Sequence, residues 1–170
     1  MKKILLITVS ALFFCSNIFA KNVIGVWQTI DDDTDKPKSI VSIYEYDNKV
    51  FGRIIITYEP DGVTVKDTIY LQKYNADKIE GNPPVCSLDI IWDMQKDGEK
   101  YKSGKILNPP KGKIYNSEMW RAENGDLIVR GKIAFLGKNQ TWKPFDVNNF
   151  PPDFISPDTT SWKPVIPKVK

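Results

Sequence analysis

Short stretches of alternating apolar and polar residues recur along this 170-residue chain and constrain its fold more than any other feature. Successive side chains of a β-strand point to opposite faces, so such a stretch predicts a strand with one buried side. The clearest example places these residues on the inner face: Cys86, Leu88, Ile90, Trp92 and Met94. Its polar positions, among them Asp89 and Asp93, are predicted to face solvent. No window shows a sustained helical period.

The spacing of these stretches predicts an all-β protein. The predicted strands are 22–30, 39–46, 50–58, 66–72, 86–94, 101–107, 113–121, 126–135 and 139–143. The pairs Asp47-Asn48, Asp97-Gly98 and Asn124-Gly125 supply residues that tolerate the positive φ of tight hairpin turns. We therefore predict an antiparallel up-and-down meander closed into a barrel of about eight strands, because closure removes exposed sheet edges. A β-sandwich is the alternative.

The first twenty residues predict a signal peptide. Lys2 and Lys3 precede an apolar run from Ile4 to Phe14, which is too short to span a bilayer, and Ala20 ends the segment. We expect export to the periplasm or the exterior, with no stable membrane insertion. Lipidation at Cys15 is disfavoured by the bulky Phe13 and Phe14 before it. The expected barrel domain is 21–145, followed by a tail at 146–170.

Composition excludes several classes of function. The chain has no histidine, which excludes a Ser-His-Asp triad and imidazole metal ligands. Two of the 24 basic residues and none of the 21 acidic residues lie in the predicted signal peptide, so the net charge falls from +3 to +1. A nearly neutral chain gives no reason to expect a nucleic-acid partner. No cofactor is expected.

Few side chains in this sequence are candidates for metal binding or catalysis. Asp31, Asp33 and Asp35 have calcium-loop spacing, but the glycine and glutamate that such a loop needs are absent, and a polar loop that bonds its own amides is favoured. Cys86 is predicted to be a buried, inert thiol, since no histidine can activate it. No pair of carboxylates is singled out by spacing, and no metal site is predicted. We therefore expect a protein that is not an enzyme.

The tail, residues 146–170, differs from the rest because its prolines exclude a central strand. Two alternatives follow from the sequence. The tail either wraps on the barrel through Phe150, Phe154 and Trp162, or forms a mobile arm.

Aromatic and apolar side chains in the predicted strands raise the question of a cavity. Inward residues of an eight-stranded barrel either fill it or line a ligand site. The candidates for lining such a cavity are Tyr44, Tyr58, Ile90 and Trp92. A small hydrophobic ligand is the expected partner, and core filling is the alternative.

The motif Gly25-Val26-Trp27 resembles the G-x-W signature of lipocalins and related barrels. A longer series resembles a bacterial secreted family named domain of unknown function 2147. It comprises residues 25–34, 36–41, Gly104–Pro109, Gly112–Tyr115, Leu127–Gly131 and the triplet ending at Trp142. The resemblance covers about residues 22–143.

This resemblance implies a lipocalin-like barrel and no known activity. It also implies that an arginine from a late strand stacks on Trp27, with Arg130 as the candidate, although strand alternation points Arg130 outward. Gly25, Trp27, Arg130 and Trp142 form the expected structural signature. The predicted function is an exported protein that binds a small apolar or amphipathic ligand. The alternative is an envelope interaction or stability factor with a filled barrel.

Overall fold

The computed structural model describes residues 22–134 and 136–170, so the predicted signal peptide lies outside the described residues. Within this part of the chain, the regular elements are nine β-strands and three single-turn 3-10 helices. The strands are β1 (Gly25–Ile30), β2 (Pro37–Tyr46), β3 (Lys49–Tyr58), β4 (Val65–Thr68), β5 (Asp89–Asp97), β6 (Lys100–Asn108), β7 (Lys113–Arg121), β8 (Leu127–Ile133) and β9 (Leu136–Pro144). The 3-10 helices are Pro109–Lys111, Val147–Asn149 and Thr159–Ser161, and no helix among the described residues could cross a membrane.

Eight strands close into an antiparallel barrel. Neighbours along the sheet are β2, β1, β9, β8, β7, β6, β5 and β3, and β3 pairs again with β2 to complete the ring. The short strand β4 pairs with the end of β3 and lies outside this ring. The predicted fold class, a closed meander of about eight strands, is confirmed.

The tight turns follow from their residues. Asp47 and Asn48 have φ values of 50° and 57°, the left-handed conformation that a two-residue hairpin between β2 and β3 requires. Gly98 and Gly125 also adopt positive φ, at 60° and 90°, in the turns before β6 and β8. These turns lie at the same end of the barrel as the start of β1. We call this the closed end, and the opposite end, with the β6–β7 and β8–β9 turns, the rim.

The barrel interior is closely packed. A Cβ atom added to Gly52 would lie 3.2 Å from Ile91 and 3.4 Å from Val41, which places these three positions on one inner face. A Cβ atom on Gly104 would overlap the Met94 side chain. Because inward side chains meet at such distances, glycine is needed where strands and large residues approach most closely.

Two predicted strands have different bounds and faces. β4 ends at Thr68, whose hydroxyl accepts hydrogen bonds from the Tyr70 and Leu71 amides, and so the predicted strand 66–72 is too long. β5 begins at Asp89 instead of Cys86, and its first four residues are buried, with Asp89 at 0% exposure. The predicted solvent exposure is therefore wrong for Asp89, because the tail covers the outside of the barrel here, whereas Asp93 is partly exposed as predicted.

The tail is wrapped on the barrel, as the first alternative stated. Phe150 packs against Phe145 and Phe154, with ring centroids 5.0 and 4.7 Å apart. These rings cover a cluster that contains Ile40, Ile55 and Ile56 on the outside of β2 and β3. Further along, Val169 forms an isolated bridge with Ile79. Aromatic burial thus fixes the proline-rich segment without a ladder of strand hydrogen bonds.

Gly104→Ala is expected to lower the free energy of unfolding by about 1–3 kcal/mol, because the new methyl overlaps Met94. Gly131→Ala is the matched control, since its added Cβ would meet nothing closer than 3.6 Å. Urea unfolding followed by tryptophan fluorescence measures both. Equal stabilities of the two variants would contradict the close packing at Gly104.

Candidate functional site

The predicted cavity-lining residues do not converge on the barrel interior. Tyr44 follows the inward Ile43 on β2 and pairs with Phe51, so its ring lies on the outer face. Trp92 pairs with Lys105, one position from the inward Gly104, and also faces outward. The prediction that Tyr44 and Trp92 line an internal cavity is therefore wrong.

The remaining two candidates are displaced by bulges. Ile90 is the extra residue between Asp89 and Ile91, which pair with consecutive residues of β3. Tyr58 packs with the outer cluster beneath the tail, after a register shift between Ile40 and Val41 on the neighbouring strand. Each bulge inserts one residue and changes which later positions face inward, so a uniform alternation assigned these faces wrongly.

An ion pair between Arg53 and Asp89 lies on this outer face, beneath the tail. The guanidinium Nη2 is 2.6 Å from Asp89 Oδ2, and Nε donates to Oδ1 at 3.0 Å. The Tyr44 hydroxyl donates to Oδ1 at 2.9 Å. Asp89 is fully buried and Arg53 is 8% exposed, and so the pair is shielded from water.

The tail completes this arrangement. The Val165 amide donates to Asp89 Oδ2 at 2.7 Å, and Arg53 Nη2 donates to the Lys163 carbonyl at 2.9 Å. The Arg53 guanidinium lies 4.5 Å from the Trp162 ring centroid and 5.6 Å from that of Tyr44. The arginine is thus held between two aromatic rings and one carboxylate.

The shifted pKa values of this cluster are those expected of a structural site. Burial opposes the charge on Arg53, but the hydrogen bonds and charge of Asp89 hold its pKa above the ordinary value. Burial, with the nearby Asp89 charge, raises the pKa of Tyr44. Both oxygens of Asp89 already accept hydrogen bonds from protein donors, so the carboxylate is poorly placed to act as a general base. The arrangement attaches the tail to the barrel wall.

At the closed end, the arginine over Trp27 is Arg121. Its guanidinium carbon lies 5.0 Å from the Trp27 ring centroid, and Nη2 donates to the Gly125 carbonyl at 2.8 Å. The Trp27 indole donates to the Val23 carbonyl at 2.9 Å. The predicted pairing with Arg130 is wrong, because Arg130 faces outward, 3.9 Å from Glu118. Arg121 lies two positions after the inward Met119 on β7, so strand alternation in the sequence already placed its side chain on the inner face.

The other signature residues have structural positions. Gly25 begins β1 with φ at 142°, a conformation that favours glycine. Trp142 is 1% exposed and lies opposite Thr29 and Leu127 on the neighbouring strands. Trp142 thus contributes to the main buried core, whereas a Cβ atom added to Gly25 would meet no atom within 4 Å.

A groove of about 650 Å³ opens at the rim, across β6, β7 and β8. Its lining residues are Lys105, Gly112, Lys113, Ile114, Tyr115, Asn116, Lys132, Ile133, Ala134 and Val169. Lys105, Asn116 and Lys132 lie directly opposite one another on the three strands, and their side chains share the outer face. These lysines were not predicted from the sequence, although the alternation within each strand places them on the outer face.

The acidic loop and the cysteine have the local roles that the sequence favoured. Asp31 accepts hydrogen bonds from Lys38 and from the Asp33 and Thr34 amides. The bond from Lys38 and then that from the Asp33 amide lower the pKa of Asp31 to about 2. Cys86 is buried, and burial raises the pKa of its thiol to about 12. Across the described ranges, we find no cluster of three or more acidic or cysteine side chains placed to hold a metal ion.

Asp89→Ala is expected to lower the free energy of unfolding by about 3–5 kcal/mol, since it leaves the Arg53 charge buried and unpaired. Asp93→Ala on the same strand is the matched control. Its ion pair with Lys49 is about 40% exposed on both sides, and the expected loss is below about 1 kcal/mol. Urea unfolding measures both changes. A loss for Asp89→Ala as small as that of the control would show that the pair does not stabilise the fold.

Arg121→Ala is expected to destabilise the protein by about 1–2 kcal/mol, through loss of the cation–π contact with Trp27. Arg130→Ala is the comparison, with an expected loss of about 0–1 kcal/mol, because Arg130 is partly exposed, its contact with Glu118 is long at 3.9 Å, and Glu118 keeps Lys132 as a closer partner. Thermal unfolding of the two variants distinguishes the positions. The opposite order of stabilities would restore Arg130 as the stacking partner.

Comparison with known proteins agrees with this geometry. The family described as an uncharacterized protein conserved in bacteria (DUF2147) matches residues 25–144, and no curated protein sequence matches significantly. Among solved structures, the chain is similar to protein HP1028 from the human pathogen Helicobacter pylori, described as belonging to the lipocalin family. Their identity is 27% and the TM-score 0.53, over 75% of this chain and 85% of that chain. With its closed eight-stranded barrel, the chain belongs to the DUF2147 family and has a lipocalin-like fold.

Proposed function

We propose that this protein is an exported, lipocalin-like binding protein that holds a small apolar or amphipathic ligand at the rim of its barrel. The fold is similar to that of a protein described as a lipocalin, and a barrel mouth is a frequent position for a small-molecule site. Fold by itself does not decide function, because one architecture serves many activities. The proposal therefore rests on a feature of this chain.

That feature is the rim groove. Its volume of about 650 Å³ lies within the range of small-molecule sites, which is roughly 300–1,000 Å³. Ile133 and Leu136, on either side of the β8–β9 turn, are 65% and 67% exposed. Ile114, on the adjacent part of β7, is 38% exposed. A concave surface with exposed apolar side chains and a few polar groups is typical of a ligand site.

The alternative function is an envelope interaction or stability factor with a filled barrel. The packing around Gly52 and Gly104 favours it, because inward side chains there leave no room for one added methyl without strain. The wrapped tail also presents exposed apolar residues, with Ile155 78% and Val165 64% exposed. These side chains would contact a protein partner in that case.

Export is supported by the first twenty residues. Lys2 and Lys3, the apolar run after them and Ala20 have the order of a cleavable signal peptide. The destination is the periplasm or the exterior.

Native mass spectrometry of the protein purified from its own cell envelope tests this proposal. We expect a protein mass that begins at Lys21, together with a reproducible added mass that organic extraction removes. Ile133→Ser should reduce the occupancy of the added molecule, because it removes an exposed apolar side chain of the groove. Ile155→Ser, on the tail, is the control and should retain occupancy.

Two results would count against parts of the proposal. A protein that repeatedly carries no added mass would favour the filled-barrel alternative. A mass that includes residues 1–20 would contradict cleavage of the signal peptide.

A further inference from the structure

We propose that the rim groove selects an amphiphile with an anionic headgroup, a single-chain carboxylate or phosphate. This inference rests on the proposed function and specifies the chemical class of its ligand. It assigns the headgroup to the lysines of the outer wall and the chain to the apolar side chains of the rim.

The lysines form a row across three strands. Lys105 on β6 and Lys132 on β8 each pair with Asn116 on the intervening strand β7. Because neighbouring strands lie about 4.8 Å apart, the two lysine backbones are separated by about 10 Å, with the Asn116 amide between them. Lys105 Nζ donates to Asn116 Oδ1, which directs the ammonium toward the middle of the row. An anionic group at this position would contact both lysines and the asparagine amide.

The charge of the groove favours an anion. Three of its lining residues are lysines, and none of the lining residues is acidic. Glu118 is the nearby acid, and it accepts a hydrogen bond from Lys132 and lies 3.9 Å from Arg130. Burial opposes ionisation of Glu118, but the bond from Lys132 and neighbouring positive charges hold its pKa below the ordinary value. Arg130 thus offsets the Glu118 charge and the groove keeps its positive sign.

The apolar part of the groove lies beside the lysines. Ile114 and Ile133 are exposed, and Tyr115 is partly buried against the core. Ala134 and Val169 complete this side of the lining. A free inorganic anion would leave these side chains in water, and a neutral hydrocarbon would leave Lys105 and Lys113 without a counter-charge, since Lys132 alone of the three pairs with Glu118 among the described residues. A molecule with an anionic headgroup and an apolar chain would contact both the lysines and the apolar side chains of the groove.

Binding of laurate and of dodecanol, two twelve-carbon chains that differ in headgroup, tests the inference. Titration by calorimetry at pH 8, below the critical micelle concentration of laurate and the solubility limit of dodecanol, should give laurate an affinity about tenfold or more above that of dodecanol. Lys113 lines the groove outside the row that holds the headgroup, so Lys113→Glu reverses a neighbouring positive charge; it should weaken laurate binding by about tenfold and leave dodecanol binding unchanged. Lys113 is exposed and forms no ion pair with any residue in the described ranges, so the fold should be retained.

Lys96→Glu is the matched control, because Lys96 is exposed and pairs with Tyr101 near the opposite end of β6. It should leave laurate binding unchanged, whereas Ile133→Ser should weaken the binding of both ligands.

Equal affinities for laurate and dodecanol would overturn the anionic headgroup while leaving a binding protein in place. Loss of laurate binding in Lys96→Glu and Lys113→Glu alike would show a nonspecific charge effect and would also overturn the site. Failure of both probes to bind would overturn it as well.

Discussion

The buried ion pair between Arg53 and Asp89 is the interaction on which the outer wall of this barrel depends. Burying two charges is costly unless each finds its partner and the remaining hydrogen bonds are made. Here the Tyr44 hydroxyl and the Val165 amide donate hydrogen bonds to the Asp89 carboxylate, and the Lys163 carbonyl accepts one from the Arg53 guanidinium. The tail therefore keeps the pair out of water and is in turn fixed by it. This explains how a segment rich in proline remains attached with a single isolated strand bridge, between Val169 and Ile79.

The covered wall and the rim groove divide the outer surface of the barrel into a closed part and an open part. On β2, β3 and the start of β5, aromatic rings and the tail cover the outer face, and few polar groups remain free to bind a ligand. On β6, β7 and β8, the outer face carries lysines and stays open. The interior is filled around Gly52 and Gly104, and the rim groove offers both space and positive charge. The proposed ligand site therefore does not require a hollow centre.

Much of the fold was predictable from particular residues. The alternation around β3 and β7, and the turns at Asp47-Asn48 and Asn124-Gly125, located nearly every strand and led to the closed meander. The site was less predictable. Bulges at Ile90 and near Ile55 reversed the predicted faces, and only the pairing partners reveal them. Arg121 was missed in favour of Arg130, although its alternation with Met119 pointed inward.

By itself, the sequence determined the strand number, the tight turns, the inert cysteine and the local bonds of the acidic loop. These depend on residues that are close in the chain or on a period of two. Only the tertiary structure decided that Asp89 is buried, that the tail is wrapped and that three strands align their lysines around Asn116. The physical reason is common to all three. Each depends on the register between segments distant in the chain, and one inserted residue in a strand changes which face a side chain occupies.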